Sequence, residues 1–313
     1  MIKVVKERNN NDFYIGVHDG MFHSDELVSV CILSILYKNI SVIRSRNIEL
    51  LNNNKCMLID VGLGKYDHHQ KGGNGQRDNG IKYASCGLIW KDYGFKCIKK
   101  LNNKLNDNDI KIIQKQIDEE IIQNIDATDN GQFNIITKYD YIEYFLPKWN
   151  KKVDYDSKFE ECTNITSIIF KNMLETYISS YLSKKEILKL INNKEYHKDN
   201  ILLIPYKNID YLDTVLEYNN KNKNPIDFIV FSYNENGYAL KCIPYSKEDI
   251  FSKRIPLPKK WAGQNNKLPE ISGIKSAIFC HNERFFAKTL ELDDAIKMCY
   301  IATKEYNKEE LCK

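Results

Sequence analysis

The 313 residues contain no C-x-x-C pair, no H-E-x-x-H string and no apolar run that approaches the ~18 residues of a membrane span. The nine cysteines stand at positions 31, 56, 86, 97, 162, 242, 280, 299 and 312. An odd count at irregular spacing argues against a secreted disulfide framework and against a cysteine-built zinc site. Cys31, Cys56 and Cys299 fall inside apolar runs, where a free thiol behaves as a small hydrophobe. Residues 1–7 lack the apolar stretch of a signal peptide. A reduced, cytoplasmic setting without membrane attachment is therefore expected. A strong charge bias is missing too. A net charge of +4 with pI near 8.4 permits a polyanionic substrate without demanding one. Internal repeats and a long linker are likewise absent from the sequence.

The length is too great for one small core and too small for three, so two domains are expected. Residues 13–17 read as a short buried strand that runs into His18-Asp19-Gly20-Met21-Phe22-His23-Ser24-Asp25-Glu26. Residues 27–37 are apolar on nearly every face, which predicts a helix buried on several sides. Ser24 is a fitting N-cap, and the helix dipole accounts for Asp25 and Glu26 in the first turn. It does not account for His18 and His23. Further strands are expected over 41–44 and 56–62, and this order of elements predicts a parallel α/β sheet. Ligands bind beyond the carboxyl ends of such strands, where the clusters beginning at His18 and Asp60 both fall.

After a loop over 71–76, whose neighbourhood places Lys71, Arg77 and Lys82 among solvated charges, a helix is expected over 84–93 with Gly94 as its terminator. Ile110, Ile113, Ile117, Ile121 and Ile125 repeat at helical spacing over about four turns. That helix ends in Asp126 and Asp129. A helical stretch over 157–193 is expected to bridge the domains. A strand over 201–205, hairpins over 228–243 and 277–289, an extended loop over 254–261 and a closing helix over 292–306 make a smaller second α/β domain. The expected division is 1–155, 156–198 and 199–313.

An even spread of six histidines would put about one in the window 18–69, and that window holds His18, His23, His68 and His69. Imidazoles and carboxylates are costly to bury unpaired, and together they suit divalent metals such as Mn, Fe, Zn or Co. A two-metal site needs several such groups and one bridging carboxylate. His18, His23 and Asp25 can form one side, Asp60 the bridge, His68 a further ligand and Asp126 the far side. His69 is left to contact phosphate, with Arg44 and Arg46 nearby. Trp149 and Trp261 follow prolines, where packing is the simpler reading and base stacking the other.

Tyr66-Asp67-His68-His69-Gln70 carries the signature of the DHH phosphoesterase superfamily. Around it stand, in order, His18 to Glu26, Val42-Ile43-Arg44-Ser45-Arg46, Ile59-Asp60-Val61-Gly62, Ile125-Asp126-Ala127-Thr128-Asp129-Asn130-Gly131, Pro147-Lys148-Trp149-Asn150, Pro256 to Trp261 and Ser272-Gly273-Ile274. Over nearly its whole length the chain resembles the melanocyte-proliferating-gene exonuclease family. The resemblance implies an N-terminal parallel-sheet DHH-like domain, a smaller C-terminal α/β domain that binds substrate, and a divalent-metal site between them. Two ions are implied, with Mn2+ favoured over Mg2+ or Co2+.

By the same resemblance His18, His23, Asp25, Asp60, His68 and Asp126 hold metal. Asp60, His68 and His69 are catalytic, and Asp67 orients the histidine behind it. The resemblance also makes His69 and His281 substrate contacts, while Arg44 and Arg46 are expected near substrate from their place at a strand end, and Arg284 and Lys288 as basic residues following His281. The family's glycine-rich turn after the histidine equivalent to His281 has no counterpart in residues 281–289, which contain no glycine, so Arg284 and Lys288 read either as substitutes for backbone cradling of a phosphate or as solvated hairpin charges. The expected function is a metal-dependent phosphodiesterase, a 3′–5′ exonuclease on single-stranded RNA or short oligonucleotides. Hydrolysis of small phosphoanhydrides or phosphomonoesters, and metal binding without turnover, are the alternatives. The oligomeric state is left open.

Overall fold

Tyr14–Val17 is buried at all four positions, as a central strand covered on both faces must be. In the computed structural model, which describes all residues except 8–12, 52–54, 133–139, 147–151, 207, 234–236 and 312–313 and the side chains of 140, 143 and 310, it forms the second strand of the chain. The first unit, Met1–Ile178, runs β1 (Ile2–Val4), β2 (Tyr14–Val17), α1 (Ser24–Leu36), β3 (Ile40–Arg44), α2 (Ile48–Leu51), β4 (Cys56–Leu58), α3 (Ser85–Leu101), α4 (Asp107–Ile117), α5 (Gln123–Asp129) and most of α6 (Tyr155–Ile191). The strand order is β1-β3-β2-β4 and every pair is parallel. The expected α/β sheet is present, and the residues after β2 and β4 emerge at one edge. Gly16 lets β4 come close: a Cβ there would stand 2.8 Å from the Leu58 side chain.

Several local expectations change. β1 has no counterpart in the sequence reading. Its outer groups are met by α6, where the Asn164 amide donates to the Ile2 carbonyl at 2.9 Å and Glu160 accepts from the Val4 amide at 2.7 Å. The N-cap of α1 is His23 rather than Ser24, and its backbone N–H donates to Glu26 at 2.9 Å. α3 runs straight through Gly94. That glycine is a packing gap rather than a terminator, since a Cβ there would lie 2.8 Å from the buried Trp90 ring. The isoleucine-rich stretch is not one regular helix either. A π-helical turn, Asp118–Ile122, separates α4 from α5 and shifts the side chains that follow it off the simple helical period.

The second unit, Ser179–Lys313, begins inside α6 and continues β5 (His197–Lys198), β6 (Ile201–Ile204), α7 (Leu212–Lys221), β7 (Phe228–Ser232), β8 (Tyr238–Cys242), α8 (Leu268–Ser272), β9 (Ala277–Cys280), β10 (Phe286–Thr289) and α9 (Leu292–Leu311). Its sheet order is β5-β6-β7-β8-β10-β9. β6 and β7 are parallel across the α7 connection and the other pairs antiparallel. Val230, Leu240, Ala287 and Cys280 pack with Met298, Cys299 and Ala302 of α9. Both expected hairpins are present, although the turn at 234–236 lies outside the described residues. The sequence reading missed α7 and α8. Trp261 is fully buried in this core and cannot stack on a base. Trp149 and its motif lie outside the described residues.

Replacing Gly94 by alanine separates its two roles. Helix propensity alone would stabilise α3 by about 1 kcal/mol. Crowding against Trp90, which exchanges hydrogen bonds with Gln114, costs about 1–3 kcal/mol. Gly94→Ala is therefore expected to lower the urea midpoint without changing the m-value.

Candidate metal centre

The end of β4 delivers Asp60. Its backbone N–H donates to the Tyr66 carbonyl at 2.9 Å, and its φ of +57° lies in the left-handed region that aspartate enters more readily than most residues. The chain thus turns sharply as it leaves the sheet, and the loop over 66–69 is drawn back across the strand ends. The end of β2 delivers His18. Its Nδ1 lies 2.9 Å from the Asp19 carbonyl, which assigns that nitrogen the proton and leaves Nε2 as the ligand atom. Nε2 stands 3.2 Å from Glu26 and 3.3 Å from Asp60 Oδ2.

The other oxygen of Asp60 faces a second set. Oδ1 is 3.2 Å from His68 Nε2 and 3.2 Å from His69 Nδ1. His68 Nε2 is also 2.9 Å from Asp129 and 3.8 Å from Asp25. Three groups of donor atoms each fit within 4.8 Å: His18, His23, Glu26 and Asp60; Asp60, His68 and His69; and His23, Asp25 and Asp129. They overlap at Asp60 and His23. Most of these residues are buried, whereas His23 and His69 are exposed and open the cluster to solvent.

The electrostatics show a site short of positive charge. Asp25 is wholly buried, neither carboxylate oxygen has a hydrogen-bond donor, and burial together with Asp60, Asp129 and Glu26 pushes its pKa well above the usual range. Burial works against charging His18, yet hydrogen bonds to Asp60 and Glu26 outweigh it and hold the pKa up at about 10. His68 behaves likewise: burial opposes, while Asp129 and Asp60 raise it to about 10. Asp60 is held below the carboxylate range, burial being overcome by these two imidazoles. A divalent cation relieves this crowding directly, and the mixed nitrogen and oxygen donors suit a first-row metal. The residues present fit the implied ion.

His18, His23, Asp25, Asp60 and His68 are thus brought together as the sequence reading expected. Asp126 is not. Its Oδ2 pairs with Arg77 at 2.7 Å and its Oδ1 accepts from the Gly87 N–H at 2.9 Å, so the carboxylate is already engaged. Asp129, one turn later, takes the place at His68. Glu26 is a candidate ligand that the sequence reading assigned to the helix dipole alone; its position beside Asp25 on the turn capped by His23 was the available signal.

Asp67 accepts from the backbone N–H groups of Leu63 at 2.7 Å and His69 at 3.0 Å. It also lies 3.0 Å from His69 Nδ1, so the ring it holds is that of His69. His69 and Arg46 line a cavity of about 350 Å3 with His18, His23 and Asp60. Arg46 is held by the Asp19 carbonyl and carboxylate at 2.6 and 2.9 Å.

Arg44 is withdrawn from any substrate. It is buried, bonded to Asp156 at 3.1 Å and the Gly20 carbonyl at 2.7 Å, and stacked 4.7 Å from the Phe159 ring. Arg77 is no solvated loop charge. It is buried, forked onto Asp118 at 2.7 and 2.8 Å, and stacked 4.2 Å from the Tyr83 ring.

His281, Arg284 and Lys288 belong to the second unit. His281 Nδ1 accepts from the Glu283 N–H at 3.0 Å. Arg284 turns the chain at φ +55° and donates to the Leu257 carbonyl at 3.2 Å. Lys288 lies 3.9 Å from the Tyr233 ring centre.

Two measurements check this account. Mn2+ at a hundred times its Kd should stabilise the protein by about 2.7 kcal/mol, seen as a rise in thermal midpoint, and Asp60→Asn should remove most of that rise. Arg77→Leu strands two carboxylates and should cost about 3–5 kcal/mol in urea titration near neutral pH. Burial, against the pull of Arg77, already pushes Asp126 up to about 7. Without the guanidinium its ionised form is costlier still, so the deficit should be largest above pH 7 and shrink as pH falls and Asp126 takes up a proton.

The comparisons with known proteins agree with the resemblance. The family model MYG1_exonuc, described as "Uncharacterised protein family (UPF0160)", matches residues 14–303. A MYG1 protein of Dictyostelium discoideum is 29% identical over 320 residues, covering 92% of this chain and 95% of its own. The MYG1 exonuclease of Mus musculus is 25% identical over 321 residues, covering 91% and 83%. That of Homo sapiens is 23% identical over 318 residues, covering 91% and 84%. No solved structure matches significantly. Because the match takes in the strand ends, the His68-His69 loop and the second unit alike, this chain belongs to the MYG1 exonuclease family.

Proposed function

We propose that this chain is a divalent-metal-dependent phosphodiesterase, acting in the cytoplasm as a 3′–5′ exonuclease on single-stranded RNA or short oligonucleotides. The observation that carries this reading is the fully buried, donor-less carboxylate of Asp25 beside Asp60 and His68. A group so costly to bury is retained where a cation meets it. Asp60 turns one oxygen to His18 and the other to His68, so its carboxylate would hold divalent cations together with either imidazole, two ions with Mn2+ favoured being the family's expectation. Bound divalent ions supply Lewis acidity and offset charge at phosphorus.

The chain's own residues do the rest. Asp67 fixes the His69 ring at Nδ1 and leaves its other nitrogen for a phosphate oxygen. Arg46, tied to Asp19, adds positive charge at the cavity wall. The cavity, of about 350 Å3, lies at the small end of ligand pockets, about 300–1,000 Å3. Relatives carrying the name exonuclease support the same class of reaction. The eight described cysteines are all free, in keeping with a reduced compartment.

RNA labelled at its 5′ end, with the 3′ end free or blocked, tests the proposal in Mn2+. A ladder that shortens only from free 3′ ends is expected, and Asp60→Ala should reduce the rate by more than about 100-fold, beyond the cost of losing an outer-shell partner. Turnover confined to pyrophosphate or nucleoside phosphates, or no hydrolysis with any divalent metal, would sink it.

A further inference from the structure

The second sheet closes one face against α9, and among the described residues part of the other face is only half covered. Along β8, β10 and β9 the residues Leu240, Ala287 and Cys280 pack into the core with α9. Their alternate neighbours Lys241, Phe286, Lys288 and Phe279 point the other way and are half-buried. Helical residues Ile187, Leu190 and Val215 cover the Ile229 side of that face, at the β6–β7 end of the sheet. Pairing register sets the remainder into two cross-strand rows. One runs Phe231, Ala239, Lys288, Phe279; the next runs Ile229, Lys241, Phe286 and on to His281.

Each row carries one lysine directly beside a ring, Lys288 next to Phe279 and Lys241 next to Phe286. Lys288 lies 3.9 Å from the Tyr233 ring centre, 5.7 Å from that of Phe286 and 5.9 Å from that of Phe279. Lys241 lies 5.8 Å from that of Phe231. Among the described residues neither lysine pairs with a carboxylate, whereas Lys247, Lys260 and Lys297 of the same unit all do. Where the strip reaches the parallel pair, Phe231 and Lys241 help to line a cavity of about 170 Å3 with Ile204, Tyr206 and Tyr211. It lies at the carboxyl ends of β6 and β7, where a parallel strand pair receives ligands.

We propose that this aromatic–lysine face is a binding track for single-stranded nucleic acid, with bases stacked on Phe279 and Phe286 and phosphates met by Lys241 and Lys288. Unpaired cations call for an anionic occupant, and flat rings between them call for one that also carries planar groups. A single strand offers both at repeating distance, while a duplex hides its base faces. The track deepens the exonuclease reading by giving the substrate a hold away from the metal ligands, and it rests on that reading only for the identity of its ligand.

Binding of labelled oligouridine of about 12 nucleotides to the full chain in EDTA tests it, because no divalent metal is then present for turnover. Phe279→Leu with Phe286→Leu should weaken binding at least about fivefold. Lys241→Gln with Lys288→Gln removes no core atoms and should lower the salt slope of log K by about 1.4. Duplex RNA of the same length should bind more weakly than the single strand. If both double variants bind as wild type with an unchanged slope, or if duplex binds as well as single strand, the track is refuted. Strip-dependent binding without any exonuclease ladder would refute the proposed reaction and leave the track standing; a ladder without strip-dependent binding would do the reverse.

Discussion

The structure turns on the crowding of carboxylates around Asp60. Glu26, Asp25 and Asp129 come from two helices, and Asp60 comes from a strand end; together they meet two buried imidazoles, and among the described residues none of the four is ion-paired with a lysine or arginine. Negative charge at such spacing in a buried site is expensive unless a cation meets it. His18 and His68 become reluctant to release their protons for that reason. Much of the nearby backbone serves the same meeting point. The left-handed turn at Asp60, the His23 cap held by Glu26 and the Asp67-anchored loop each place one group and would be needless for packing alone.

Just behind this cluster stands a buried charge network of the opposite kind. Arg77 meets Asp118 and Asp126, and the Gly87 N–H completes the shell of Asp126. A Cβ on Gly87 would run into the Asp126 carboxylate, so the close approach requires glycine. Here the protein neutralises its own carboxylates, whereas around Asp60 it does not. That contrast separates scaffold from site more sharply than residue type does, since both are built from buried aspartates. The π turn at Asp118 joins them, because it presents Asp118 to Arg77 and begins the segment that ends at Asp129.

The second unit answers a different problem. A sheet that buries one face against a helix must still occupy the other, and here Lys288 on β10 reaches over the rings of Tyr233 and Phe286. Such a surface stays wet enough to remain soluble and apolar enough to hold a planar group. His281 sits at the end of one row, with its Nδ1 occupied by the Glu283 N–H, so its other nitrogen is the donor. The turn that carries it is built on Arg284 in a left-handed conformation, the task a glycine would ordinarily perform.

The sequence by itself determined the parallel sheet, the two hairpins and most of the site's inventory. Strand periodicity and the clustering of His18, His23, Asp25, Asp60, His68 and His69 are local signals, and topology carries strand ends to one edge whatever the details. Tertiary structure alone decided that Asp129 and not Asp126 faces His68, and that Glu26 joins the cluster. It also decided that Arg44 and Arg77 are internal counter-ions while Arg46 reaches the cavity. Each of those outcomes depends on a partner distant in the chain: Asp156 for Arg44, Asp118 and Asp126 for Arg77, and Gly87 for Asp126. A side chain's charge is written in the sequence, but which opposite charge reaches it first is settled only when the chain packs.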